Sequence, residues 1–74
     1  MTIIRLGDKF ANLYTNQKIH VETYTVTGFK HDKLGVWAIC EHEWWDGRKG
    51  LGPCYVSIHV IGQSLRSGYM KRLN

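Results

Sequence analysis

Proline occurs once in this sequence, at position 53, and cysteine only twice, at positions 40 and 54. With one proline, nearly every backbone N–H is free to donate, and extended structure is not interrupted. Two cysteines are too few for the stapled scaffold of a small secreted domain. The opening residues Met1-Thr2-Ile3-Ile4-Arg5 carry neither a basic n-region nor a long apolar h-region. No apolar run approaches the ~18–20 residues that cross a bilayer as a helix. These absences predict a cytoplasmic protein with reduced thiols and no membrane partner. Acids are also scarce: six stand against ten lysines and arginines, for a net charge of +4 with the four histidines neutral. The resulting pI of about 9.3 suits an anionic partner, nucleic acid first, although a charge of this size also serves solubility alone.

What is present argues for a folded chain. Hydrophobic residues make up 43% of the 74, with three tryptophans, four tyrosines, two phenylalanines and eight glycines. That length predicts one domain, residues 1–74. A chain of this size buries only about 60% of the surface it exposes when unfolded. Its core rarely supplies more than ~3–5 kcal/mol of net stability.

The pattern along the chain is mostly period two. Residues 2–6 are a short β-rich piece, and Gly7-Asp8 is a turn signal. Residues 9–14 alternate, with Lys9, Ala11 and Leu13 on one face and Phe10, Asn12 and Tyr14 on the other. Residues 15–18 are polar and turn-like. The longest predicted strand spans residues 19–29, whose odd positions Ile19, Val21, Thr23, Thr25, Thr27 and Phe29 are all β-branched or aromatic. Gly28 marks a bulge or a bend in it. Residues 30–35 are a polar connection closed by glycine. Residues 36–39 are apolar on both faces, which predicts a strand covered on both sides. Residues 36–40 and 54–61 then read as the two strands of one long hairpin, with Trp37, Ile39, Val56 and Ile58 as its expected core. Residues 62–68 form a tight turn or a single helical turn, and residues 69–73 a last short strand. A rival reading places a helix over residues 64–73, because Leu65, Tyr69 and Leu73 are four apart and Ser64 could cap it. Gly68 costs that helix roughly 1 kcal/mol against alanine.

Five or six short strands with glycine-marked turns predict a small all-β barrel. Three segments carry a resemblance: Gly7-Asp8-Lys9-Phe10, Tyr24-Thr25-Val26-Thr27-Gly28-Phe29, and the short turn before residues 69–73. Together they resemble the layout of SH3-like small barrels. There a Gly-Asp turn opens the first strand, a long strand follows the first loop, and a short helical turn precedes the last strand. The resemblance implies a five-to-six-stranded SH3-like barrel with a short C-terminal helical turn. It implies no activity, since such barrels bind peptides, RNA, DNA and small molecules alike. The layout is also similar to that of plasmid-type, trimethoprim-resistant dihydrofolate reductases, SH3-like chains that build one site at the centre of a tetramer. Val56-Ser57-Ile58-His59 resembles their Val-Gln-Ile-Tyr strand but departs from it at Ser57 and His59. That likeness therefore implies shared architecture and no shared activity.

The candidate working surface is the loop between the hairpin strands, Trp44-Trp45-Asp46-Gly47-Arg48-Lys49-Gly50-Leu51-Gly52-Pro53. Aromatic rings can stack on unpaired bases, and the adjacent Arg48 and Lys49 can hold phosphates. Adjacent strand residues face opposite ways, so only one of Trp44 and Trp45 easily goes inward. Arg66, Lys71 and Arg72 extend the candidate site, and Lys9, Lys18, Lys30 and Lys33 could widen the positive surface. Glu41, Glu43 and Asp46 make the loop dipolar rather than uniformly basic. Cys40, His42, Cys54 and His59 are a possible set of zinc-type ligands, in which Cys40 and His42, two apart on a strand, share a face. Cys54 and His59, five apart, face opposite ways on a regular strand, and no C-x₂-C pair occurs. No metal and no cofactor is expected. Cys40 and Cys54 read instead as small core fillers on neighbouring strands, close enough for an adventitious disulfide on oxidation. His20, His31, His42 and His59 are scattered, no nucleophile has a readable base, and Glu41 and Glu43 read as a solvated strand face. The expectation is a basic, non-enzymatic binding module, regulatory in kind and of the size of a phage or mobile-element accessory protein. Its partner is nucleic acid, or alternatively a protein bound through exposed tryptophans or a barrel edge strand. The apolar stretches at residues 36–40 and 55–61 leave room for a homodimer.

Overall fold

A computed structural model describes residues 3–14 and 19–74. Thr2 and the polar stretch at residues 15–18, with Lys18, lie outside the described residues. The strands are β1 (Lys9–Tyr14), β2 (Ile19–Asp32), β3 (Gly35–Trp44), β4 (Cys54–Ser57) and β5 (Met70–Arg72), with one helix, α1 (Ile58–Ser67), between the last two. They form one antiparallel sheet in the order β4-β3-β2-β1-β5. β2 is three residues longer than its alternation predicts, because Lys30, His31 and Asp32 continue the ladder opposite Trp37, Val36 and Gly35. The turn is then only Lys33-Leu34, with Asp32 Oδ1 accepting from the Leu34 N–H at 2.8 Å. Gly28 does sit at a bulge. The register shifts between Val26 and Gly28, leaving Thr27 as the extra residue, and the Thr27 hydroxyl donates to the Ile39 carbonyl at 3.1 Å.

The sheet does not close into a barrel. Among the described residues no rung joins β4 to β5, which pair only with β3 and β1 respectively. The reason lies at residue 58. The predicted strand at residues 54–61 stops at Ser57, and Ile58 begins a helix. Ile58, Val60 and Ile61 are β-branched and favour a strand locally, but a short apolar run fits either period. Tertiary packing decides: Ile58, Ile61 and Leu65 lie at helical spacing and all meet the core. The helix ends where Gly68 takes φ 87°, a left-handed cap that glycine adopts without strain, and Arg66 in its last turn suits the negative end of the helix dipole. The rival helix over residues 64–73 is thereby excluded, and residues 70–72 are the expected last strand. Residues 3–8 form no strand. Gly7 and Asp8 make the predicted turn, anchored by Gly7 N to Val26 O at 2.8 Å and Val26 N to Asp8 O at 2.9 Å.

The core is Phe10, Val26, Ala38, Cys40, Ile61 and Met70, with Val56, Ile58, Leu65 and Ile4 packed against it. Directly opposed residues of an antiparallel pair share a face. The register Val26↔Cys40↔Cys54 therefore fixes the even-numbered residues of β3 as the inward set. Trp37 and Ile39, expected in the core, lie on the other face and are only half-buried. Trp37 donates its indole N–H to Asp32 at 3.1 Å. Residues 36–39 are thus not covered on both sides: on the inward face Ala38 is buried while Val36 is exposed, and on the other Trp37 and Ile39 are half-buried.

Candidate functional site

The end of β3 and the chain beyond it build a narrow hairpin. Trp44 N donates to Arg48 O at 2.7 Å, Gly47 N to Trp44 O at 3.0 Å, and Gly50 N to His42 O at 2.8 Å. Lys49 bridges Glu43. The tip is therefore a three-residue loop, Trp45-Asp46-Gly47, whose last residue takes φ 89°. This is the geometry in which a tight turn is followed by a left-handed residue, and glycine fits it. Asp46 braces the tip, accepting from Arg48 N at 3.2 Å and Arg48 Nε at 2.7 Å. The result holds Trp45 out at 72% exposure, while Trp44 retains 39%. Both tryptophans are thus exposed. Alternation splits a pair within a strand, but here the second residue has already entered the turn. Leu51, in the excursion before β4, is fully exposed.

The register joins this hairpin to the outer face of the sheet, opposite the helix. One row across the strands reads Lys49, Glu43, Thr23, Ala11, Lys71. The next reads Glu41, Thr25, Lys9. An open cleft of about 570 Å³ lies on this face, lined by Lys9, Thr23, Glu43, Trp44, Trp45 and Gly47 among others. Of the residues singled out in the sequence, Trp44, Trp45, Arg48 and Lys49 lie on the hairpin, and Lys71 joins them through the row. Arg66 is on the exposed side of α1, beside a separate open cleft with Gln63, Ser64 and Tyr69. Arg72 is consumed by the fold. Its guanidinium bonds Asp8 Oδ2 at 2.8 Å and Ile3 O at 2.8 Å, and lies 5.0 Å from the Phe10 ring centre. Lys30 is likewise held, near Asp32 and over the Tyr55 ring.

Sequence reasoning missed one polar cluster on the inward face. The Glu22 carboxylate, 8% exposed, accepts from Asn12 Nδ2 at 2.7 Å, from Tyr24 Oη at 2.6 Å and from His42 Nε2. Burial pushes the Glu22 pKa up, but the bonds from Tyr24, Asn12 and His42 outweigh it and hold the carboxyl below its ordinary value. Burial and the hydrogen bond to Glu22 drive the Tyr24 hydroxyl far above its usual range. The His42 ring stacks on Tyr24 with centroids 5.1 Å apart, and Trp44 tilts against it at 4.6 Å. The cluster thus supports the root of the hairpin. A cleft of about 340 Å³ beside it is lined by Thr27, Glu41, His42, Lys49, Gly50 and Pro53, among others. The only signal in the sequence was Glu22 sharing a strand parity with Tyr24 and Val26.

The zinc-type residues are split. Cys40 and Cys54 are free and face each other, His42 is turned onto Glu22, and His59 is exposed on α1. Among the described residues no group of three or more His, Cys, Asp or Glu is placed to hold an ion. No described helix is long and apolar enough to cross a membrane. Comparison with protein-family models, with curated proteins and with solved structures returns no match.

Proposed function

We propose that this chain is a small non-enzymatic binding module whose β3–β4 hairpin engages single-stranded nucleic acid. The observation that carries the reading is Trp45, 72% exposed on a tip braced by the Asp46–Arg48 pair and Gly47. An aromatic ring held out in this way offers a stacking platform for an unpaired base. Charge supports the partner's sign. Of the six acids, Asp8, Glu22, Asp32 and Asp46 are engaged by Arg72, His42, Lys30 and Arg48. Arg5, Lys9, Lys33, Lys49, Arg66 and Lys71 make no ion pair among the described residues. Lys49, Lys71 and Lys9 share the outer face with Thr23 and Thr25, and Glu41 and Glu43 limit the phosphate path to the lysine edges of that face. The accompanying fold reading is an opened SH3-like sheet, supported by β5 returning to pair with β1 and by the helical segment before it.

Anisotropy titrations with single- and double-stranded oligonucleotides at two salt concentrations test this. Single strands are expected to bind tighter, with affinity falling steeply as salt rises because neutralised phosphates release counterions. Trp45→Ala should weaken binding roughly tenfold or more, since a stacked base contributes about 1–3 kcal/mol. Lys49→Glu should lower the salt slope by about one unit. No binding at low salt, or an unchanged Trp45→Ala variant, overturns the reading. A protein partner is favoured by one separate feature, the full exposure of Leu51 in the same hairpin. Binding that is indifferent to salt and lost in Leu51→Asp would select it.

A further inference from the structure

The two cysteines are directly opposed. Cys40 and Cys54 are register partners in the β3–β4 ladder. Residues so paired have Cα atoms about 4.5–5.5 Å apart, inside the window a disulfide spans. Their side chains share the inward face, since Cys40 belongs to the buried core and Cys54 packs against it. The Cys54 thiol already reaches toward its partner strand, donating to the Cys40 carbonyl at 3.5 Å. Cys40 is fully buried and Cys54 half-buried. The pair is the last rung of the β3–β4 ladder before the excursion at residues 51–53, at the base of the hairpin that carries Trp45.

We propose that Cys40 and Cys54 are a redox modification site, which a low-molecular-weight disulfide converts to an intramolecular cross-strand bridge that locks the base of this hairpin. The Cys54 thiolate attacks one sulfur of the reagent's S–S bond and expels a thiol, leaving a mixed disulfide on Cys54. The Cys40 thiolate then attacks the Cys54 sulfur and expels the second thiol. The protein loses two protons and two electrons, and the electrons reduce the reagent. The order follows from access, because the attacking reagent meets Cys54 first. Both steps are slow. Burial, and then the neighbouring Cys54, push the Cys40 thiol up to about 11, and burial raises Cys54 as well.

The test is incubation of the folded full chain with oxidised glutathione, followed by intact mass and peptide mapping without reductant. The expected product is a monomer lighter by two hydrogens, with Cys40 linked to Cys54. Its thermal midpoint should lie about 10 °C above that of the reduced chain, reversed by dithiothreitol. Cys40→Ala should stop at a glutathione adduct on Cys54, and Cys54→Ala should leave Cys40 unmodified until the chain unfolds. A stable glutathione adduct on the parent chain overturns the proposal. So does a disulfide-linked dimer, or two titratable thiols remaining after prolonged oxidation. None of these outcomes depends on what the hairpin binds.

Discussion

Among the described residues, Glu22 gathers the most side-chain donors. Three donors converge on a carboxylate that is 8% exposed. Each donor would be stranded without it, and stranding buried polar groups costs more than the bonds return. Glu22→Gln is therefore expected to lose roughly 1–3 kcal/mol of folding stability at pH 7, read by urea denaturation. The pH dependence follows from the depressed pKa. The folded carboxyl titrates below its ordinary value of 4.5, so its contribution is fully present above that pH and is lost as pH falls through the folded value. Asp8 behaves in the same way: the Arg5 N–H lowers its pKa, burial opposes this, and Arg72 adds to the lowering. Parent stability should fall on acidification below about pH 4.5, and the fall should be shallower in Glu22→Gln. Identical slopes for the two proteins would show that Glu22 is not the titrating contact. Arg72 belongs to this scale too. Its ties to Asp8, Ile3 and Phe10 make it part of the fold, although as a C-terminal cation it reads in the sequence like a phosphate contact.

At the scale of elements, the hairpin tip is the feature whose geometry depends most on one residue. Gly47 at φ 89° closes the Trp45-Asp46-Gly47 loop, with nothing within 4 Å of where its Cβ would lie. Space is therefore not the constraint there, and backbone conformation is. Gly47→Ala should cost about 1–2 kcal/mol through the left-handed conformation alone. It should also speed amide exchange at Trp44, whose N–H bonds Arg48, more than at the centre of the β2–β3 ladder. A uniform change across the sheet would argue that the tip is not an independent unit. The same scale explains one misread segment and one that the sequence left open. The apolar run from residue 54 to 61 satisfies both a strand and the start of a helix, and only the position of the core selects the helix after Ser57. Residues 64–73 keep a four-residue apolar spacing, yet Gly68 caps the helix and Met70 returns to pair with Asn12.

For the whole molecule, one small core holds both the sheet and the helix. Ile61 is the helix residue fully buried in it, at 1% exposure. Truncating a buried isoleucine to alanine typically costs 2–5 kcal/mol, while a chain of this size commands only ~3–5 kcal/mol in total. Ile61→Ala should therefore be largely unfolded at 25 °C, seen as loss of the cooperative far-UV circular dichroism transition. A sharp melt within a few degrees of the parent would place the core elsewhere.

The sequence by itself determined the strand-rich class and the limits of β1, whose residues 9–14 alternate cleanly. It also marked the turn at Gly7-Asp8 and a bulge or bend at Gly28, and it offered the final short strand beside a rival helix. Each of these is written in local chemistry: β-branched alternation, glycine, or a turn pair. It placed the aromatic and cationic hairpin as a unit, because those residues are contiguous. Tertiary structure alone decided which face of β3 is buried. A shift of one residue inverts every side chain on a strand, and the choice of Ala38 and Cys40 over Trp37 and Ile39 rests on the register with Val26 and Cys54. It decided that the sheet stays open, since a helix takes the residues that would have lengthened β4. It also decided that Glu22 meets Asn12, Tyr24 and His42, that Lys71 shares a row with Lys49, and that Cys40 faces Cys54. Those are contacts between strands, and an amino-acid pattern with period two carries no record of its partner's register.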